Sequence, residues 1–169
     1  FMNPGACYFS FSSETAMSIQ CTNDTSNTVS RIPATLLSNS YMSNITTITF
    51  PSTISSFPSY LCSLPSGEID LSFQGFTELN DATFPCLDAF RIINLSFNQI
   101  RSVNMANGNF TSLTSFDLSS NELTTLPYSI LNPTPTSLRY LDLRNNSIGY
   151  LDLFLYTLQN ITIDLVKAS

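Results

Sequence analysis

Apolar residues recur along this chain in one frame, L-x-x-L-x-L-x-x-N-x-L, clearest as FRIINLSFNQI from Phe90, LTSFDLSSNEL from Leu113 and LRYLDLRNNSI from Leu138. Taking the fourth position as a marker gives Ile69, Ile93, Phe116 and Leu141, at successive intervals of 24, 23 and 25 residues. Two weaker copies place Ile48 at the marker 21 residues before Ile69, and Ile163 22 residues after Leu141. A period of this length predicts a solenoid of about six rungs. Strand side chains alternate with period two, so each marker and the apolar residue two places on should point into one core: Ile69 with Leu71, Ile93 with Leu95, Phe116 with Leu118, Leu141 with Leu143, Ile163 with Leu165. The next fixed position holds Asn98, Asn121 and Asn146, whose amides can bond backbone groups that the turning chain leaves unpaired. Gln74 and Ala168 stand there in the outer copies. One such rung buries its apolar face only against its neighbours, so the rungs fold together.

The frame resembles that of extracellular leucine-rich repeat proteins, over nearly all of the chain from about Ser18. The resemblance implies an α/β-type repeat solenoid: a horseshoe with a parallel concave β-sheet and mostly irregular convex loops. It also implies an N-terminal disulfide hairpin cap, in which a segment such as SIQC…VSRIPATL covers the open core of the first rung. On this reading residues 1–40 form the cap and residues 41–169 the repeats. Phe84 and Phe110, each shortly before a new rung, then read as a stacked aromatic spine in the convex loops.

Composition narrows the function. The 169 residues are 43% hydrophobic, enough for one elongated core. Lys and Arg number 6 against 12 Asp and Glu, for a net charge of −6. Nucleic acid is thereby disfavoured, since phosphate binding wants a basic stripe and the only lysine is Lys167. No apolar run reaches the ~20 residues that span a bilayer, because Asp152 and Thr157 interrupt the stretch from Leu151 to Ile163. The beginning, FMNPGACYF, lacks a signal-peptide pattern, so the chain reads as already processed or cut from something longer. An acidic, weakly charged surface rich in Ser, Thr and Asn suits a secreted or cell-surface protein.

The four cysteines fit that compartment. Cys62 lies 7 residues before Ile69 and Cys86 lies 7 before Ile93, so they hold the same place in adjacent rungs. Rungs stack about 4.8 Å apart, within the reach of a disulfide, which predicts Cys62–Cys86. CYFSF and AMSIQC form a hairpin around Ser12 to Thr15, which brings Cys7 to Cys21. Free or metal-binding thiols are the rival reading, disfavoured by the lack of any CxxC pair and of His. Sequons for N-glycosylation stand at Asn23, Asn44, Asn94, Asn109, Asn145 and Asn160. Asn23 and Asn109 fall in expected loops, whereas Asn94 points outward from the sheet, where a glycan would cover the middle of that face.

Outward positions on the strands form a column of Asp70, Asn94, Asp117, Asp142 and Asp164. Like charges on adjacent strands repel and need compensation. The column reads either as a site for a cation or basic ligand, or as acids solvated by water, Ser and Asn. Beside it stand Arg91, Arg139, Tyr140 and Arg144. With Asp117 and Asp142 these make a candidate contact patch, Arg and Tyr being common interface anchors. The alternative is a set of salt bridges from Arg139 and Arg144 to Asp117, Asp142 or Asp164, each worth about 0–1 kcal/mol if exposed. Phe73 and Phe97, equivalent positions just past the strand, either stack on each other or lie exposed as an apolar patch.

Catalysis lacks its ingredients. Without His no Ser-His-Asp or Cys-His site can be built, and no phosphate-binding glycine loop is present. No catalytic residue, metal site or cofactor is expected. The function implied by the resemblance is recognition of a protein, peptide or glycan ligand outside the cell. The alternative is a structural glycoprotein whose copies assemble end to end. The last frame, TIDLVKAS, has no cysteine-bearing cap after it, which predicts further chain, a partner at that end, or a second copy stacked into a filament.

Overall fold

The structure is a computed structural model, and it describes residues 7–11, 16–21, 47–49, 57, 61–62, 67–132, 135–149 and 162–164. Its main element is an eight-stranded sheet built from β1 (Cys7–Phe11), β2 (Ala16–Cys21), β3 (Thr47–Thr49), β4 (Glu68–Asp70), β6 (Ile92–Asn94), β8 (Ser115–Asp117), β9 (Tyr140–Asp142) and β10 (Thr162–Asp164). β1 and β2 pair antiparallel, with Cys7 opposite Cys21; every later pairing is parallel. The register sets Ile48, Ile69, Ile93, Phe116, Leu141 and Ile163 side by side, one per strand. Short repeated strands laid parallel in one sheet fit an α/β repeat fold.

Alternation explains the core. From Ile48 to Leu141 the markers are buried, and so are Leu71, Leu95, Leu118 and Leu143 two places on. Burying one such side chain is worth about 1.5–3 kcal/mol, so each rung is stabilised by stacking on the next.

The return segments carry more regular structure than irregular loops. β5 (Glu78–Asn80) and β7 (Ser102–Asn104) pair in parallel as a second, two-stranded sheet, with Leu79 buried and Val103 packed against the core. Ser129, in a one-turn helix at Tyr128–Leu131, closes the free edge of β7: its hydroxyl donates to the Val103 carbonyl and accepts the Met105 N–H. Short 3₁₀ turns at Leu87–Ala89 and Phe110–Ser112 begin on buried residues, each six before its marker, so Leu87 is the counterpart of Phe110. Phe84 lies elsewhere in its rung. Its ring meets Phe57 at 5.5 Å and Phe76 at 4.9 Å, so these rings, and not Phe84 with Phe110, form the aromatic cluster. Cys62 and Cys86 are joined in a disulfide, with Cα atoms 5.5 Å apart.

Candidate functional site

The outward column of the sheet is tied into its own backbone. Asp70, Asn94, Asp117 and Asp142 each accept, through Oδ1, the N–H two residues on, from Ser72, Ser96, Ser119 and Arg144, at 2.8 to 3.0 Å. The next N–H donates to the neighbouring rung: Phe73 to the Ser96 carbonyl, Phe97 to Ser119, Ser120 to Arg144. Held on both sides, the residue four past each marker turns left-handed, and Phe73, Phe97, Ser120 and Asn145 all have φ of 54° to 58°. That reversal delivers the following side chain, Gln74, Asn98, Asn121 or Asn146, to the interior. Asn98 donates to the Leu71 and Leu95 carbonyls, Asn121 to Leu95 and Leu118, and Asn146 to Leu118 and Leu143. Their oxygens accept N–H groups of the preceding rung. The acids of the column therefore have a structural task that the Asp/Asn-Leu-Ser triplets, repeated at residues 70–72, 94–96 and 117–119, could have signalled in the sequence.

Among the contact candidates, Tyr140, Asp142 and Arg144 come together. Asp142 is 1% exposed; the Tyr140 hydroxyl donates to its Oδ2 at 3.0 Å, and the Arg144 guanidinium donates at 2.6 to 3.0 Å. Burial pushes the Asp142 pKa up, but the Arg144 and Tyr140 donors outweigh it and hold the carboxyl below its ordinary range. Burial, then the bond to Asp142, push the Tyr140 hydroxyl up. The expected ion pair of Arg144 with Asp142 thus forms within one rung. Among the described residues Arg139 reaches no acid: its guanidinium donates to the Thr136 and Leu138 carbonyls at 2.9 Å, because it leaves the strand at the end opposite the column. Arg91 is exposed at the same strand end, one rung beyond Thr114. Asp117 stands half-buried between Asn94 and Asp142 in register. Arg91 and Arg139 therefore stand just before their strands, and Asp70, Asp117 and Asp142 at the end of theirs.

Phe73 and Phe97 fulfil both expectations at once. Their rings stack at 4.5 Å, 6° from parallel, and are 64% and 53% exposed. Nothing in the sequence signalled that both are also in a left-handed conformation uncommon for bulky residues.

Of the sequons, Asn109 is exposed, Asn94 is half-buried with its Oδ1 accepting from the backbone and hydroxyl of Ser96, and Asn145 is exposed and donates to the Ser120 hydroxyl. Asn23, Asn44 and Asn160 lie outside the described residues, as do the side chains of Cys7, Cys21 and Asp164. Among the described residues, no cluster of three or more His, Cys, Asp or Glu could hold a metal ion. No helix there is long and apolar enough to cross a membrane.

Residues 111–125 and 134–153 match the family model described as Leucine Rich repeat. The matches support a leucine-rich repeat protein. They cover the two rungs whose frames are most regular, LTSFDLSSNEL and LRYLDLRNNSI. No curated protein and no solved structure matches the chain. Leucine-rich repeats of this kind suggest a protein-interaction module.

Proposed function

We propose that this chain is a non-enzymatic extracellular recognition module that binds a protein, peptide or glycan ligand across the outward face of its parallel sheet. The observation that carries the reading is the construction of that face. Rungs locked by paired amides and carboxylates hold exposed Arg91 and Arg139 and half-buried Asp117 and Tyr140 at fixed spacings. A rigid array of Arg, Tyr and Asp is suited to binding with little ordering cost.

The finer picture belongs to the same proposal. The rungs curve into a horseshoe with this sheet on the concave side, residues 41–169 forming the repeats. Residues 1–40 form the cap, pinned by a Cys7–Cys21 disulfide that the strand register favours. The Cys62–Cys86 disulfide suits a secreted or cell-surface location, where such bonds persist. N-glycans on the sequons complete a glycoprotein module, with Asn109 and Asn145 the exposed ones among those described.

The test uses the disulfide-bonded, glycosylated chain on a biosensor against a panel of glycans and soluble ectodomains. Arg91→Ala combined with Arg139→Ala should weaken the selected ligand about tenfold, or ~1.4 kcal/mol, with little change in melting temperature. Unchanged affinity would remove this face as the binding surface.

A further inference from the structure

The stacked pair Phe73 and Phe97 lies in adjacent rungs, just past the strand ends that carry Asp70 and Asn94. Local sequence does not require aromatics there. In the next two rungs Ser120 and Asn145 hold the same left-handed position and pass the chain on to the same inward Asn. Two bulky rings are thus held exposed in a conformation that smaller polar residues fill equally well. Strain of this kind, kept where the fold does not need it, points to function.

Charge selects the occupant. Asp70 shares the rung of Phe73, and Asp117 lies one strand beyond Asn94 in the column. Among the described cations, Arg91 and Arg139 leave from the opposite strand ends, Arg101 pairs with Glu122, and Arg144 is turned onto Asp142. Among the described residues, the strand ends beside the rings therefore present carboxylates and aromatic surface without an opposing cation. Aromatic surface takes the stem and charge of Lys or Arg, and a nearby carboxylate complements it. A second copy of this chain, with the same charge of −6, is repelled by the same field.

We infer that Phe73 and Phe97, with Asp70, form a docking platform for a Lys- or Arg-bearing peptide segment of a partner protein. This rests on the recognition reading and names the partner chemistry at one edge of the same face.

The chain has no Trp, so a pentapeptide of one tryptophan flanked by two lysines on each side reports its own burial by fluorescence. The wild-type chain should blue-shift its emission saturably, and added salt should weaken the effect. Phe73→Asn with Phe97→Asn installs the residue that Asn145 already carries in this conformation. The double variant should fold normally, with an unchanged or raised urea midpoint, and bind the peptide about tenfold more weakly. Asp70→Asn keeps the acceptor for the Ser72 N–H, as Asn94 does in the next rung, and should weaken binding while flattening its salt dependence. A peptide with glutamates in place of the lysines should not bind.

Three results would overturn the platform: no binding of the lysine peptide by wild type, equal binding by the double Asn variant, or equal binding of the glutamate peptide. Sedimentation in which the wild type self-associates and the double variant does not would assign the rings to a second copy and overturn the basic partner. If the platform fails while the Arg91 and Arg139 substitutions still release a panel ligand, the recognition reading stands without it.

Discussion

At the scale of single residues, the fold depends on side chains that replace missing backbone partners. Asn121 is buried; its oxygen takes the Ile100 N–H and its amide serves the Leu95 and Leu118 carbonyls. Each carbonyl also receives a second Asn, so Asn121→Ala chiefly orphans the Ile100 N–H. A buried orphan costs about 1–3 kcal/mol, and urea unfolding should show that loss as a lower midpoint at unchanged slope. A loss below a few tenths would mean that water or a neighbour replaces the amide. Asp142 gives a pH signature. Its folded pKa lies below the ordinary 3.8, so its stabilisation is present above that value and disappears as pH falls through the lower folded pKa. As pH falls below the ordinary 3.8, stability should fall less steeply in Asp142→Asn than in wild type, and parallel curves would refute the linkage. The Asn positions were legible in the sequence because they recur at a fixed place in the frame. The conformations of Phe73 and Phe97 were not, because a neighbouring rung some two dozen residues away helps to set them. Each left-handed residue costs about 1–2 kcal/mol, and ring stacking returns about 0.5–1.5, so the pair is close to neutral for stability at best.

At the scale of elements, the strands are only three residues long from β3 onward, too short to be stable alone, yet their centres were legible. Period-two burial fixes the marker, and parallel stacking then fixes the register of every neighbour. The same logic predicted the Cys62–Cys86 disulfide, since equal offsets from adjacent markers put the two cysteines side by side. The second sheet was not legible, because Glu78–Asn80 and Ser102–Asn104 each contribute a single inward apolar residue. The one-turn helix at Tyr128–Leu131 is likewise too short to show a helical period. The disulfide closes a sequence separation of 24 residues, for which chain entropy gives about 3 kcal/mol. Replacing both cysteines by serine should cost roughly that amount in chemical denaturation, and an unchanged midpoint would show that rung stacking alone sets stability there.

At the scale of the whole molecule, the described strands follow one another in sequence order across the main sheet, with only β5 and β7 set aside in the second sheet. Stability in such an array is a sum of rungs and the contacts between neighbours, and binding uses the surface that several rungs share. The net charge of −6 works against association of identical copies and favours a partner of different composition. The measurement that tests this most directly is light scattering of the glycosylated chain over a wide concentration series, with negative-stain electron microscopy of the same samples. The recognition reading predicts discrete particles whose mass stays constant as concentration rises. Regular fibres growing with concentration would contradict it and favour an end-to-end structural assembly.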